Sequence, residues 1–206
     1  MMTFEIETPH GPGRAHPHPV ENPIAALVLG HGAGGGVGAS DLTAATSAAR
    51  SAGLTVVLVE QPYRVAGRRS QPAAGQLDEA WVAIVSRLRE ADLAGLPLVV
   101  GGRSAGARVA CRTSAQTDAT AVLCLAFPLH PPGRADDPAK SRLAELDSVR
   151  VPTLVVQGER DPFGMPPERT GRTVARVPGN HSLRAAAAVA AAVEPWLAAF
   201  ASHEVP

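Results

Sequence analysis

The segment "GRSAG" at 102–106 places Ser104 between two glycines, where a predicted strand meets a predicted helix. The run "LPLVV" at 96–100 suits a buried strand, and an alanine-rich helical pattern follows the serine. A serine in such a sharp turn exposes its hydroxyl above the end of a sheet, and a helix N-terminus favours negative charge. The glycines fit because side chains there would clash with neighbouring chain. The string also arises by chance, so it predicts a nucleophile only if a base and an acid accompany it.

Candidates for the base and the acid both follow the serine in the chain. Asp161 comes just after the predicted strand "PTLVVQ" at 152–157, and His181 lies in "VPGNHSL", before the last predicted helix. Serine, then acid, then histidine is one recurring order of a catalytic triad. Because open α/β sheets place their sites at the carboxyl ends of strands, we expect Ser104, His181 and Asp161 to meet there.

Each triad candidate also has a simpler local interpretation. An Asp before a proline is typical of a turn, and Asn180 or Ser182 is a suitable helix cap beside His181. Glu159 is an alternative acid two positions before Asp161. The three residue types in the right order, at the right ends of elements, favour the triad.

The glycine-rich segment "GHGAGG" at 30–35 allows two interpretations. It matches a dinucleotide-binding pattern, with Glu60 as the acid that would bind a ribose. However, "GVGAS" intervenes before the next helix, which makes the loop too long to place a pyrophosphate on that helix. The second interpretation is a loop whose N–H groups stabilise an oxyanion. It predicts an oxyanion hole formed by Ala33, Gly34 and Ala105.

Apolar runs of strand length alternate with helical patterns along the chain, which predicts an α/β fold with a mostly parallel sheet and helices on both faces. The strands are expected at 24–29, 54–59, 96–100, 121–127 and 152–157, with a weaker candidate at 172–177. The helices are expected at 41–52 with Ser40 or Asp41 as cap, at 76–92, after Ser104, at 139–147 and at about 182–202, where Pro195 should kink or restart the helix.

The length of 206 residues suits a single domain over 1–206. We expect an edge strand and loop in 1–23, with the Pro- and His-containing part at 9–23 as a surface loop, and the core in 24–202. About 25 residues separate the strands at 121–127 and 152–157, too few for a large cap domain. The site should therefore be shallow and open.

Composition excludes several classes of function. The formal net charge is zero and aromatic residues make up 3%, so we expect no nucleic-acid partner. The longest alanine-rich segment is too short to cross a bilayer, and the first residues lack the apolar core of a signal peptide, so we expect no membrane association and a cytoplasmic protein. Cys111 and Cys124 are interpreted as buried thiols, since neither has a partner at zinc-ligand spacing. No metal or cofactor is expected, and the chain should be a monomer or a homodimer.

Two further segments follow strands that should end beside the site. These are "EQPYRVAGRR" at 60–69 and "FPLHPPG" at 127–133. Arg64, Arg68 and His130 are candidate contacts for an anionic part of a substrate, because a guanidinium binds carboxylates and phosphates bidentately. The alternative is a solvated basic loop whose arginines pair with nearby carboxylates.

The motifs together resemble the α/β-hydrolase superfamily, in its small form without a large cap. They are "LVLGHGAGG", "PYRVAGRR", "GGRSAGARVA", "LAFPLHPPG", "VPTLVVQGERDPFG" and "PGNHSL". Within that superfamily the chain resembles the dienelactone-hydrolase-like group, and most nearly the hydrolase-like domain of testis-expressed proteins and of a subunit of a nonspecific-lethal histone acetyltransferase complex. The resemblance implies a serine hydrolase of a small ester or thioester, with Ser104 as nucleophile, Asp161 as acid and His181 as base. Because some relatives serve as complex subunits, a non-catalytic interaction module on the same fold is the alternative.

Overall fold

A computed structural model describes residues 2–201 of the chain. Within those residues eight strands form one sheet. In chain order they are β1 (Phe4–Ile6), β2 (Gly13–His18), β3 (Ala25–Gly30), β4 (Leu54–Glu60), β5 (Leu98–Arg103), β6 (Ala121–Leu125), β7 (Thr153–Gly158) and β8 (Arg172–Val177). Their order across the sheet is β1-β2-β4-β3-β5-β6-β7-β8. The pairs from β4 across to β8 are parallel, whereas β1 with β2 and β2 with β4 are antiparallel, so the predicted mostly parallel sheet is confirmed.

Helices cover both faces of this sheet, as predicted. They are α1 (Ser40–Ser51), α2 (Pro62–Val65), α3 (Ala74–Glu90), α4 (Ala105–Thr113), α5 (Leu143–Asp147) and α6 (Ala186–Ala201). Side chains of α1 and α6 pack on one face, against residues such as Leu27 and Leu29 of β3. Side chains of α3, α4 and α5 pack on the other face, against Val28 of the same strand. Because alternate residues of β3 point to opposite faces, a continuous apolar strand serves both cores.

The connection from β6 to β7 adds little structure above the carboxyl edge of the sheet. It contains a 3₁₀ turn (Pro138–Lys140) and the short helix α5, where the sequence predicts one helix at 139–147. No cap domain is therefore built between these strands, and the predicted compact fold without a large cap is confirmed.

The expectation of a surface loop over 9–23 is wrong, because this segment contains β2. Alternate residues Gly13 and Ala15 are buried, and β2 pairs with β4 from Arg14 to His18. Pro17 lacks a donor, but it lies beyond the three residues that pair with β1, so its missing N–H breaks no bond there. The prolines and histidines of the segment obscure the alternation that normally predicts a strand.

The predicted ends of two helices also require correction. Neither Ser40 nor Asp41 is the cap residue of α1, since the cap position is Ala39, which makes no side-chain cap hydrogen bond. Asp41 lies inside the first turn, where its Oδ1 atom accepts the N–H of Leu42 at 2.9 Å. The last helix begins at Ala186 rather than 182 and is a single helix through Pro195. Its predicted end at 202 lies outside the described residues. The helix α2 has no counterpart in the sequence-based prediction.

Candidate active site

Ser104 occupies the sharp turn between β5 and α4. Its φ of 52° and ψ of −106° place it in a region that L-residues rarely adopt, at a cost of about 1–3 kcal/mol. A Cβ on Gly102 would lie 2.6 Å from the carbonyl oxygen of Gly30, and a Cβ on Gly106 would lie 2.5 Å from the same oxygen. Both glycines are therefore required by the close approach of β3, which confirms the steric reason predicted for the motif.

Ser104, His181 and Asp161 are brought together at the carboxyl edge of the sheet. The Nε2 atom of His181 is 2.9 Å from the Oγ atom of Ser104, and its Nδ1 atom is 2.9 Å from Oδ2 of Asp161. A carboxylate only accepts, so Nδ1 carries the proton and the serine hydroxyl donates to Nε2. The Asp161 side chain is 1% exposed and that of His181 is 18% exposed. This arrangement can accept the serine proton on the imidazole.

Asp161 has a turn-forming role as well as its contact with His181. Its Oδ1 atom accepts the N–H of Phe163 at 2.9 Å, while Oδ2 also accepts the Nε2 amide of Gln157 at 2.9 Å. Gln157 is fully buried at the end of β7. The alternative acid Glu159 is exposed, and its carboxylate has no partner among residues 2–201.

Two contacts that the sequence analysis does not predict hold the loop that carries His181. The ring of Phe163 packs on the imidazole with centroids 4.1 Å apart. A Cβ on Gly158 would lie 2.5 Å from the carbonyl oxygen of Asn180, so only glycine lets this loop approach the end of β7. Asn180 closes a turn by accepting the N–H of Ser182 at 3.1 Å. Neither Asn180 nor Ser182 caps α6, because that helix begins only at Ala186.

The glycine loop, residues 31–39, lies beside Ser104 and is fixed by buried hydrogen bonds. The Nε2 atom of His31 accepts the N–H of Gln61 at 3.1 Å, so Nδ1 carries the proton and donates to the carbonyl of Gly32 at 2.8 Å. The Tyr63 hydroxyl donates to the carbonyl of Ala33 at 3.1 Å. A Cβ on Gly32 would lie 3.6 Å from Cβ of Ser104, which measures how closely the loop approaches the serine.

The predicted oxyanion donors have free N–H groups. Within the described part of the chain, the backbone N–H groups of Ala33, Gly34 and Ala105 have no acceptor. That of Ala105 opens α4, where the helix dipole favours negative charge. Ala33 directly follows Gly32, which approaches Ser104, whereas a Cβ on Gly34 would meet no other atom within 4 Å. Both residues are therefore candidate donors, and Ala33 is next in the chain to the contact with Ser104.

Burial of His31 makes this loop sensitive to acid. Burial lowers the pKa of His31 below its ordinary value, the hydrogen bond to the Gly32 carbonyl opposes part of that change, and the charge of Arg64 adds to it. Below about pH 6.5 the unfolded chain binds a proton that the folded protein does not, so stability falls as the pH drops. We expect urea midpoints to show a smaller loss between pH 7.5 and 5 in His31→Gln, which keeps an acceptor for Gln61, than in the wild type. An equal loss in both proteins would contradict this prediction.

Two of the three candidate substrate contacts lie near the site, since the charge of Arg64 reaches His31 in the glycine loop and His130 packs beside the turn that follows Asp161. Arg64, Arg68 and Arg69 form no ion pair with a carboxylate among residues 2–201, so the pairing expected for a purely structural loop does not occur. Arg68 lines a cavity of about 130 Å³ with Tyr63 and His10, and none of Ser104, Asp161 and His181 lines that cavity. His130 donates from Nδ1 to its neighbour's carbonyl at 2.9 Å, and its ring packs on the turn that follows Asp161.

The dinucleotide interpretation does not fit the geometry of the glycine-rich segment. Nine residues separate the end of β3 from the start of α1, so the glycines do not open that helix. The carboxylate of Glu60, which would have to bind the ribose, hydrogen-bonds instead to Nε2 of His16 at 2.9 Å.

Within residues 2–201, no three His, Cys, Asp or Glu side chains cluster closely enough to hold a metal ion. No helix in those residues combines the length and hydropathy needed to cross a membrane.

An eight-stranded, mostly parallel sheet with a serine elbow, an acid after β7 and a histidine after β8 defines the α/β-hydrolase class. The model of the alpha/beta hydrolase domain family matches residues 23–188, and the chain belongs to that family. No curated protein sequence matches the chain.

Several solved structures share the fold. A serine hydrolase without a lid from Xanthomonas campestris is 21% identical with a TM-score of 0.71, over 95% of this chain and 94% of that one. A dienelactone hydrolase from Anabaena variabilis is 16% identical with a TM-score of 0.73, over 100% and 98%. An esterase from Pyrobaculum calidifontis is 18% identical with a TM-score of 0.68, over 100% and 85%.

Proposed function

We propose that this protein is a serine hydrolase that cleaves a small ester or thioester through an acyl-enzyme intermediate. The observation that carries the proposal is the pair of 2.9 Å contacts that link Ser104 to His181 and His181 to Asp161. Its support is strengthened by the strained elbow at Ser104, because such strain persists only where the surroundings impose it.

In the proposed mechanism, His181 Nε2 takes the hydroxyl proton while Ser104 Oγ attacks the carbonyl carbon of the substrate. The carbonyl π electrons move to oxygen, and the free N–H groups of Ala105 and Ala33 stabilise that oxyanion. The intermediate collapses when the alcohol or thiol leaves with the proton from His181. Water then attacks the acyl-enzyme with His181 again as base, which releases the acid and restores the Ser104 hydroxyl. Asp161 holds the imidazole in the tautomer that both half-reactions need.

The finer affiliation is also a proposal. We propose that the chain belongs to the dienelactone-hydrolase-like group and that it resembles the hydrolase-like domain of testis-expressed proteins and of the nonspecific-lethal complex subunit. The segments "PYRVAGRR" and "FPLHPPG" support this placement, as does the shared fold of the dienelactone hydrolase from Anabaena variabilis.

The function is tested by covalent labelling and by hydrolysis of a graded series of esters. A fluorophosphonate probe should label the purified protein on the peptide that contains Ser104. Since no cap closes over the site, p-nitrophenyl esters with short acyl chains should be hydrolysed faster than long ones. Absence of both labelling and hydrolysis in the folded protein would contradict the proposed function, and a strong preference for long chains would contradict the open site.

The free arginines predict a preference for substrates with an anionic part. Arg64 is close enough to the glycine loop for its charge to lower the pKa of His31. Arg64→Ala or Arg68→Ala should reduce kcat/KM for a carboxylate-bearing ester by the equivalent of about 1.5–3 kcal/mol and leave the matched neutral ester unaffected. Arg87→Ala, at an exposed position on α3, is the control. Equal losses of kcat/KM on both esters would show that these arginines stabilise the structure and do not bind an anionic part of the substrate.

A further inference from the structure

The side chain of Arg103, the residue just before Ser104, contacts three separate parts of the site. Its Nε atom donates to Oδ2 of Asp41 on α1 at 2.8 Å. Its Nη2 atom donates to the backbone carbonyl of His181 at 3.1 Å. Its Nη1 atom lies against the glycine loop, where a Cβ on Gly32 would come within 2.8 Å of it. One guanidinium therefore hydrogen-bonds to α1 and to the histidine loop and packs against the glycine loop.

The partner of Arg103 is unusually buried for a carboxylate. The Asp41 side chain is 0% exposed and that of Arg103 is 17% exposed. Burial raises the pKa of Asp41, and the nearby charge of Arg103 opposes that rise. A buried ion pair is often no more stabilising than an apolar pair of the same size. Stability alone therefore does not explain why a charged pair stands beside the nucleophile.

The ion pair alone also does not require arginine. A lysine at 103 would supply the charge that Asp41 needs, but its single nitrogen is a point charge on a flexible stem. Only the planar fork can bond to Asp41 through Nε while Nη2 reaches the carbonyl of His181. The second contact is the one that bears on the chemistry, because it holds the backbone from which the imidazole extends.

We propose that Arg103, anchored by Asp41, is a positioning residue that fixes His181 and the glycine loop relative to Ser104. The proposal rests on the proposed hydrolase function. Arg103 acts on chemistry through the backbone and not through substrate, so its loss should lower kcat and leave KM almost unchanged. A misplacement of about 1 Å at a reacting group can cost on the order of 10²-fold in rate.

The first test is Arg103→Lys, which preserves the charge opposite Asp41. We expect kcat for a neutral p-nitrophenyl ester to fall by about 10- to 100-fold, with KM within about threefold of the wild-type value. Rates are expressed per serine labelled by fluorophosphonate, so that only folded, reactive protein is counted. The matched control is Arg112→Lys at the other end of α4, where Arg112 pairs with Asp78 at 2.6 Å and 2.8 Å. This control should keep the wild-type kcat.

A double variant, Asp41→Asn with Arg103→Met, removes both charges and keeps an acceptor for the N–H of Leu42, which Asp41 binds at 2.9 Å. We expect it to fold and to show the same loss of kcat. Wild-type kcat in either folded variant, or unfolding of both, would overturn the positioning role. Equal rates of fluorophosphonate labelling in the wild type and in Arg103→Lys would overturn the positioning role and leave the hydrolase function standing. A wild type that does not react with the probe would overturn both the hydrolase function and the positioning role.

Discussion

Ser104→Ala is expected to lower kcat/KM for a short-chain p-nitrophenyl ester by at least about 10³-fold. The variant lacks the Oγ atom that forms the acyl bond in the proposed mechanism, and activity that remains would come from the oxyanion donors and substrate binding. The fold should be unaffected, because Ser104 is partly exposed and its side chain makes one hydrogen bond, to His181. A substitution of this kind usually changes stability by no more than about 0.5 kcal/mol. Steady-state kinetics with thermal unfolding of both proteins measures the two effects.

Ser148→Ala provides a matched control for the loss of a hydroxyl, since Ser148 is exposed at the end of α5. It should retain wild-type activity and should still be labelled by fluorophosphonate, whereas Ser104→Ala should not be labelled. Near wild-type turnover in purified Ser104→Ala would show that another residue is the nucleophile. A folded wild type that is neither labelled nor active would favour the non-catalytic interaction module.

The central strands were predictable because their environment is uniform. β3, β4, β5, β6 and β7 are buried on both faces, so continuous apolar runs mark their ends to within about three residues, the largest difference being at the end of β5. β2 was not predictable in this way, since Pro17 and two histidines interrupt its alternation and its main partner, β4, lies about forty residues away. Its existence depends on a pairing between distant segments, which local pattern does not report.

The site residues likewise divide into those that the local sequence predicts and those that depend on contacts between distant segments. Ser104, Asp161 and His181 follow strands at recognisable positions, and their predicted proximity agrees with the geometry, although their catalytic roles await the experiments above. Arg103 and Asp41 were not predicted as partners because they are 62 positions apart and meet only when α1 packs beside β5. Two features of the sequence point to this contact: Arg103 is a charged residue inside the serine motif, and Asp41 is an acid at the start of α1. The sequence analysis instead interprets Asp41 as a helix cap.

Gln157 and Phe163 were missed for a related reason. A polar residue in an otherwise apolar strand is a signal, because a buried amide must find partners. The NH₂ group of Gln157 meets that need by donating to Asp161 and to the carbonyls of Phe127 and Gly164, at 3.1 Å and 2.8 Å, whereas its buried Oε1 atom has no hydrogen-bond partner among residues 2–201. Nothing in the sequence identifies which acid it would bind, since both Glu159 and Asp161 follow the same strand.

Asp161→Asn is expected to lower kcat by about 10⁴-fold while the protein remains folded. The reason lies in the donors that surround the carboxylate. Oδ2 accepts from both His181 and Gln157, and Oδ1 accepts from the N–H of Phe163. An asparagine has one acceptor oxygen and one NH₂ group, so it must oppose a donor on one side in either orientation.

The orientation with NH₂ toward His181 leaves the imidazole with Nδ1 as acceptor and its proton on Nε2, which cannot then take the proton of Ser104. The opposite orientation keeps the tautomer but loses the negative charge that stabilises the imidazolium, and it sets an NH₂ against the N–H of Phe163. Steady-state kcat, with KM and thermal unfolding measured in parallel, tests the prediction. Glu159→Gln is the matched control, since Glu159 is exposed two positions earlier, and it should stay within about twofold of wild type as an ordinary surface substitution. A much larger loss in Glu159→Gln than in Asp161→Asn would identify Glu159 as the acid and show that Asp161 serves only its turn.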